Sequence, residues 1–282
     1  MAADGVAERY AAEAEAVTRR AARTFHLASR LLPRAVRRDV LLLYLVLRTL
    51  DDAVDEGLAD APAQLDAVER WLDGGEPETR EAAVLADLDA RHGLPRGALR
   101  AFLQGMRDDL APPRIATEAD LDLYCYRVAG AVGELMTAIL GVSRDDAWGA
   151  ARALGLAMQR TNVLRDVDED LANGRVYLAA ETLERFGVDD LRTADRSALY
   201  RDQIARADAL YDQGLAGVDA LVHGGRAIAA AGRMYREILR QIEREGLGAR
   251  RTSICWMRRC GSTDSVCTIT PCVISTASSV TR

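Results

Sequence analysis

The 282-residue chain contains no lysine; all 37 of its Lys+Arg positions are arginine. GC-rich coding accounts for such a bias, but the absence has chemical consequences. Phosphate binding by a P-loop lysine and catalysis through a lysine Schiff base are both excluded. Any phosphate clamp here must use arginine, backbone amides or metal ions. Aromatic residues make up only 5% of the chain, with three phenylalanines (Phe25, Phe102 and Phe186) and seven prolines. β-Branched runs are equally scarce. A sequence poor in strand formers and rich in Ala, Leu, Arg, Asp and Glu favours helix through most of its length. No stretch approaches the ~20 consecutive apolar residues of a membrane-spanning helix; the longest strong run is Leu41 to Leu47. The opening Met-Ala-Ala-Asp-Gly lacks the basic segment and apolar core of a signal peptide, so the expectation is a soluble cytoplasmic protein. With a formal charge of −6 and no basic block, a nucleic-acid footprint is not indicated. Cys255, Cys260, Cys267 and Cys272 fit no zinc-ligand spacing, and Cys125, alone in the body, reads as a small helix residue.

From about Thr24 to Gly246 the pattern is helical, with short Pro/Gly connectors. These are Leu32-Pro33, Gly74-Gly75-Glu76-Pro77, Gly93-Leu94-Pro95, Pro112-Pro113, Gly141-Val142-Ser143, Asn173-Gly174 and His223-Gly224-Gly225. Breaks at that spacing predict roughly eight to ten helices around one core. Ser143, followed by Arg144-Asp145-Asp146, resembles a helix N-cap with acids in the first turn. Residues 1–20 read as an N-terminal extension. The tail from Thr252 to Arg282 is dense in Ser, Thr and Cys and shows no helical period. So abrupt a switch fits a change of reading frame near Arg251 better than an ordinary disordered terminus, and we expect an irregular tail.

Two segments carry chemistry. Val40 to Val54 (VLLLYLVLRTLDDAV) is apolar on nearly every face, which marks a helix buried all round. Tyr44, Arg48, Asp51 or Asp52, and Asp55 nevertheless fall at steps of three or four, on one stripe. Ala153 to Asp170 (ALGLAMQRTNVLRDVDED) repeats the design with Gln159, Asn162, Asp166 and Glu169 or Asp170. Two carboxylates ~4 Å apart repel by about 4 kcal/mol at an effective dielectric of 20. Such clusters on apolar helices need a cation, and hard oxygen ligands without Cys or His point to Mg²⁺. A single D-D-x-x-D in an Arg-rich chain is usually a solvated helix end paired with Arg at i±4. Two such clusters, each closing a strongly apolar helix, favour the metal reading. In a third segment, Tyr124 to Met136, Gly130 and Gly133 interrupt a helical pattern, as close helix packing or a kink beside a substrate chain would require.

Together these segments resemble the squalene/phytoene synthase family, the head-to-head branch of helical isoprenyl diphosphate synthases. The matching stretches are Arg23-Thr24-Phe25, Tyr44 to Glu56, Tyr124 to Glu134, and Asn162 to Asp170 continuing to Leu178. The similarity covers about residues 20 to 250, defining a helical domain over 21–251. It implies an all-α bundle of isoprenoid-synthase type, with the two acidic stripes facing each other across an apolar cavity. It also implies that Asp51, Asp52 and Asp55 form one Mg²⁺ cluster and Asp166, Glu169 and Asp170 the other. Arg48, Arg165 and Arg175 would hold diphosphate oxygens, with Thr24 and Phe25 also at the substrate. Tyr44, Tyr124 and Tyr235 would line the reacting centre, and Asn162 would orient substrate or metal-bound water.

There are departures from the family pattern. Ala22 stands where many members carry a hydroxyl, Ala179 replaces a proline after Tyr177-Leu178, and Arg160 puts an extra charge beside the second cluster. The implied reaction joins two farnesyl or geranylgeranyl diphosphates through a cyclopropylcarbinyl diphosphate to a squalene- or phytoene-type hydrocarbon. NADPH would be needed only for squalene, and release of such a product implies transient membrane contact. A terpene cyclase of the same fold is the nearest alternative, weakly disfavoured by the scarcity of aromatics. A non-catalytic prenyltransferase-like subunit is disfavoured because both acidic clusters are intact.

Overall fold

The Pro/Gly connectors fall between helices, with Gly225 opening the last of them, because proline lacks the amide a helix interior needs and glycine supplies turn conformations. A computed structural model describes residues 3–247, with the side chains of Ala3, Asp4, Arg23 and Thr24 outside that description. The predicted tail, 252–282, lies outside the described residues. The helices are α1 (Ala3–Ala21), α2 (Arg23–Ser29), α3 (Arg34–Asp55), α4 (Ala61–Leu72), α5 (Arg80–His92) and α6 (Arg96–Asp108). Next come α7 (Glu118–Cys125), a π-helical turn (Tyr126–Gly130), α8 (Ala131–Leu140) and α9 (Asp146–Ala172). The last three are α10 (Ala180–Arg185), α11 (Ser197–Ala216) and α12 (Gly225–Arg244). No strand occurs among the described residues, only one isolated bridge between Val142 and Leu221.

Local chemistry sets several helix ends. Thr79 caps α5 by accepting from the Ala82 amide, and Gly93 closes it in the left-handed conformation at φ 62°. Thr117 and Asp120 form a reciprocal capping box that starts α7. Ser143, expected to cap α9, does something else. Its amide and hydroxyl both donate to the Ala220 carbonyl, at 2.8 and 2.9 Å, pinning the loop before α12. Asp145 occupies the N-cap position of α9 and makes no side-chain capping bond.

Two long helices organise the interior. α3 is buried without interruption from Asp39 to Leu47 and packs against α1, α5, α4 and α8. α9 lies against α11, α12, α8 and the π turn. The α7–π–α8 rod approaches α9 very closely. A Cβ on Gly133 would lie 2.5 Å from the Ala151 carbonyl oxygen, and one on Gly155 would lie 2.5 Å from that of Ala129. That rod, Glu118–Leu140, is long and apolar enough to cross a bilayer, although Arg127 and Glu134 deny it an unbroken apolar run. Most of it is buried within the bundle, which is what a core helix requires.

The segment expected as an N-terminal extension over 1–20 carries α1, which packs along α3 and α5 with Ala7, Ala14 and Thr18 buried. The fully buried positions of its interior face are small, with Val6, Tyr10 and Val17 half-buried beside them, so the apolar signal in the sequence is modest. The helices outnumber the eight to ten expected because α2 and α10 are short and a π turn divides α7 from α8.

Candidate functional site

The last turns of α3 carry the first acidic cluster. Arg48 has one nitrogen 3.2 Å from Asp51 and also pairs with Asp52. Asp51 is buried, whereas the Asp52 side chain is 42% exposed at the rim. One turn back, the rings of Tyr44 and Phe25 meet at 5.4 Å. Asp55 points inward, and its buried Oδ2 has no hydrogen-bond partner.

The facing stripe lies on α9. The Asn162 amide donates to Gln159 at 3.0 Å, and the Tyr235 hydroxyl of α12 donates to Asn162 Oδ1 at 2.8 Å. Arg165 Nε donates to Asp166 at 2.7 Å. After the helix ends, the Arg175 amide donates to the Asp170 carbonyl at 2.8 Å, which turns the Arg175 side chain back across the site. Its Nη1 donates to Tyr177 and its Nη2 to the backbone carbonyl of Asp109, both at 3.2 Å.

These elements line an open cavity whose space, solvent at its mouth included, is about 380 Å³. Its wall brings together Asp55, Tyr124, Asn162, Asp166, Asp170 and Arg175 from the sequence-derived candidates. Asp51, Asp52 and Arg48, engaged with one another, and Arg165, engaged with Asp166, stand behind or beside that wall. Glu169 is half-buried on α9 without lining the cavity, Tyr235 is hydrogen-bonded to Asn162, which does line it, and the Thr24 side chain lies outside the described residues. The wall itself is polar, not apolar as expected. An adjoining pocket of about 190 Å³, lined by Val163, Val167, Leu171, Val176, Leu178 and Leu191 among others, supplies apolar surface.

Three wall residues were missed as candidates: Asp109, Tyr177 and Gln159. Gln159 stood on the α9 stripe and Tyr177 within a matching stretch, so both had a signal. Asp109 had a fainter one, three residues beyond Met106 on the buried face of α6. Arg160 is the opposite case. Instead of adding charge to the second cluster, it is 3% exposed and faces away. It pairs with Glu118 at 2.8 Å and Asp122 at 2.7 Å, and donates to Gln203 at 2.9 Å.

Electrostatics identify what the cavity lacks. Burial, reinforced by Asp55, pushes the Asp51 carboxyl well above the usual range. Asp55 is pushed up to about 6 by burial, although Arg48 and Arg175 oppose the shift. Burial raises Asp109 to about 7 with help from Asp55, and Asp170 to about 7 with help from Asp166 and Glu169. Acids that hold protons near neutrality are short of positive charge. Asp55, Asp109, Asp166 and Asp170 share the wall with one cation, Arg175, among the described residues. The donor set is all oxygen, so the chemistry fits a hard divalent cation such as Mg²⁺, for which the orphaned Asp55 oxygen would be available. No three carboxylates converge on one point among the described residues. Ions bound here would therefore complete their shells with water or substrate oxygens, as Mg²⁺ commonly does at phosphate sites.

Comparison with known proteins agrees with this geometry. The squalene/phytoene synthase family model matches residues 18–258. The chain is 40% identical over 250 residues to the phytoene synthase of Thermus thermophilus, covering 83% of this chain and 85% of that one. It is 37% identical over 258 residues to the 15-cis-phytoene synthase of Synechococcus elongatus, covering 82% and 83%. Among solved structures, a dehydrosqualene synthase superposes with a TM-score of 0.77 at 27% identity, covering 85% of this chain and 88% of that one. Squalene synthase HpnC from Alicyclobacillus acidocaldarius superposes with a TM-score of 0.75 at 29% identity, covering 87% and 95%. An all-α bundle with acidic stripes on two buried helices and sequence identity across most of its length leaves one assignment: this chain is a prenyltransferase belonging to the squalene/phytoene synthase family.

Proposed function

We propose that the protein condenses two geranylgeranyl diphosphates head to head, in the presence of Mg²⁺, to a phytoene-type C40 hydrocarbon without NADPH. The observation that carries this reading is the wall shared by Asp55 of α3 and Asp166 and Asp170 of α9. An acid-rich cavity repels a diphosphate, so substrate binding there requires divalent cations, and a substrate already carrying diphosphate is the anion such a site accepts. The choice of C40 product and the omission of NADPH rest on the similarity to phytoene synthases over most of the chain.

When bound, Mg²⁺ would neutralise the departing diphosphate. The residues present divide the remaining work. Asp51, Asp52, Asp55, Asp166, Glu169 and Asp170 are the carboxylates available to hold the ions. Arg48 and Arg165 would offer planar donors to diphosphate oxygens as their carboxylate partners turn to the metal, and Arg175 would do so from the cavity wall. Tyr124, on the cavity wall, would turn its phenol face to an allylic cation, with Tyr44 packed behind on Phe25 and Tyr235 held to Asn162. Asn162, held between Gln159 and Tyr235, keeps its amide in place for substrate or water. Attack by the second alkene on the cation left by the first diphosphate, followed by loss of a proton, closes the cyclopropylcarbinyl diphosphate. Departure of the second diphosphate, rearrangement and loss of a second proton then give the linear product, so no reductant is consumed. Neighbouring apolar surface excludes the water that would trap these cations.

Incubation with farnesyl or geranylgeranyl diphosphate, each with and without NADPH, followed by product identification, tests the reading. Phytoene from geranylgeranyl diphosphate alone is expected. A cyclic terpene from a single diphosphate, or squalene only when NADPH is added, would overturn it.

A further inference from the structure

Asp109 belongs to none of the acidic stripes, yet it is 4% exposed and reaches the same cavity wall. It follows the last residue of α6, and each carboxylate oxygen receives a different phenol. Tyr177 donates to Oδ1 and Tyr124 to Oδ2, both at 3.2 Å. The two rings are stacked, with centroids 4.9 Å apart and planes at 30°. Arg175 closes the set, donating to the Tyr177 hydroxyl and to the backbone carbonyl of Asp109. Three separate elements thus meet on one carboxyl group: the end of α6, the end of α7 and the segment after α9.

The arrangement is costly for a merely structural purpose. A buried carboxylate without a directly paired cation is a poor filler, and an amide or an apolar side chain would serve a core better. What the acid provides is two acceptors at fixed separation, which set two hydroxyls, and hence two ring planes, at once. Bonds of 3.2 Å are long for O–H···O, and contacts of this kind tighten when a reacting complex forms.

We propose that Asp109 is a positioning residue for the condensation proposed above: its carboxylate fork holds Tyr124 and Tyr177 as a stacked pair facing the cavity in which the allylic cation forms. The inference rests on that reading for its chemistry, but the fork can be measured without substrate. A phenol face attracts a cation only when the ring is aimed at it, so loosening the pair should slow the ionisation and rearrangement steps. Diphosphate binding, which uses other carboxylates and the arginines, should change little. Asp109→Asn suits the test because it keeps side-chain volume and leaves the Arg175 bond to the backbone carbonyl untouched.

The experiment compares wild type, Asp109→Asn, Tyr177→Phe and the double variant in steady-state kinetics with geranylgeranyl diphosphate and Mg²⁺. The same proteins are compared in thermal melts and in near-ultraviolet circular dichroism without substrate. Asp109→Asn should lower kcat on the order of tenfold or more, by misplacing the rings. KM should stay within about twofold, as expected for an interaction that matters in the transition state. The melting temperature should hold or rise, since a buried acid has been removed. The double variant should be no slower than the slower single, because both changes break one fork. The tyrosine dichroism of Asp109→Asn should depart from wild type. Wild-type kcat in Asp109→Asn, a melting temperature that falls in step with kcat, kinetic losses that multiply, or an unchanged tyrosine spectrum would each overturn the proposal. Failure of the wild type to turn over any prenyl diphosphate would instead count against the proposed function, and the spectrum alone would then decide for or against the fork.

Discussion

Asp55, Asp109 and Asp170 hold their protons to about 6, about 7 and about 7, against an ordinary carboxyl value of 3.8. Each therefore binds its proton more tightly folded than unfolded. Their contribution to stability is complete below about pH 4 and is lost as the pH rises through 6 and 7. The metal-free protein should accordingly melt at a lower temperature at about pH 7.5 than at about pH 5, with the drop spread over the interval set by those groups. Mg²⁺ should restore much of the loss at the higher pH, since an ion that binds only the folded chain stabilises it by mass action. Thermal melts across that range, with and without Mg²⁺, check both expectations, and a metal-free melting temperature that climbs with pH would contradict them.

The stripes on α3 and α9 were legible in the sequence because charges at helical spacing stand out against an apolar helix. Asp109 was not. Its neighbour Asp108 pairs with Arg127 in the ordinary way, so the two acids together look like a solvated helix end. The partners that make Asp109 unusual come from 15 and 68 residues away. No local pattern records bonds of that range.

At the scale of elements, the connectors and the two long helices followed from proline, glycine and apolar periodicity. α1 fell outside the helical stretch read from the sequence because its fully buried Ala7 and Ala14 carry little hydrophobic signal, leaving Val6, Tyr10 and Val17 as the only larger apolar residues on that face. Gly130, Gly133 and Gly155 show why glycine recurs inside otherwise good helices: the α7–π–α8 rod and α9 nearly touch there. Gly155→Ala would drive a methyl group toward the Ala129 carbonyl. Overpacking of this kind costs about 1–3 kcal/mol, readable as a lower urea midpoint with unchanged slope. A midpoint equal to wild type would show that the helices move apart freely.

Arg160 makes a second element-scale case. It ties α9 to α7 and α11 through Glu118, Asp122 and Gln203, and Glu118 also receives Thr182 of α10. Arg160→Met leaves the half-buried Glu118 without its cation, and breaking a buried pair from one side typically costs about 3–5 kcal/mol. Because Glu118 retains the Thr182 and Gln203 bonds and is not fully buried, the loss should fall at the lower end of that range. Adding Glu118→Gln should recover part of it. Urea denaturation of the two variants decides the matter, and additive losses would contradict the pairing.

For the molecule as a whole, α3 and α9 matter because each carries acids that no arginine fully neutralises, and the bundle places those acids on one cavity. A protein needing only stability would not keep protonated carboxyls in its interior. A protein that must take up metal ions with a diphosphate would. Pyrophosphate release from geranylgeranyl diphosphate, followed with Mg²⁺, after EDTA, and after Mg²⁺ is restored, tests that claim most directly, with Asp166→Asn as the companion variant. The account predicts release that stops with EDTA, resumes with Mg²⁺, and is abolished in Asp166→Asn while helix content stays near wild type. Release undiminished by EDTA would contradict it.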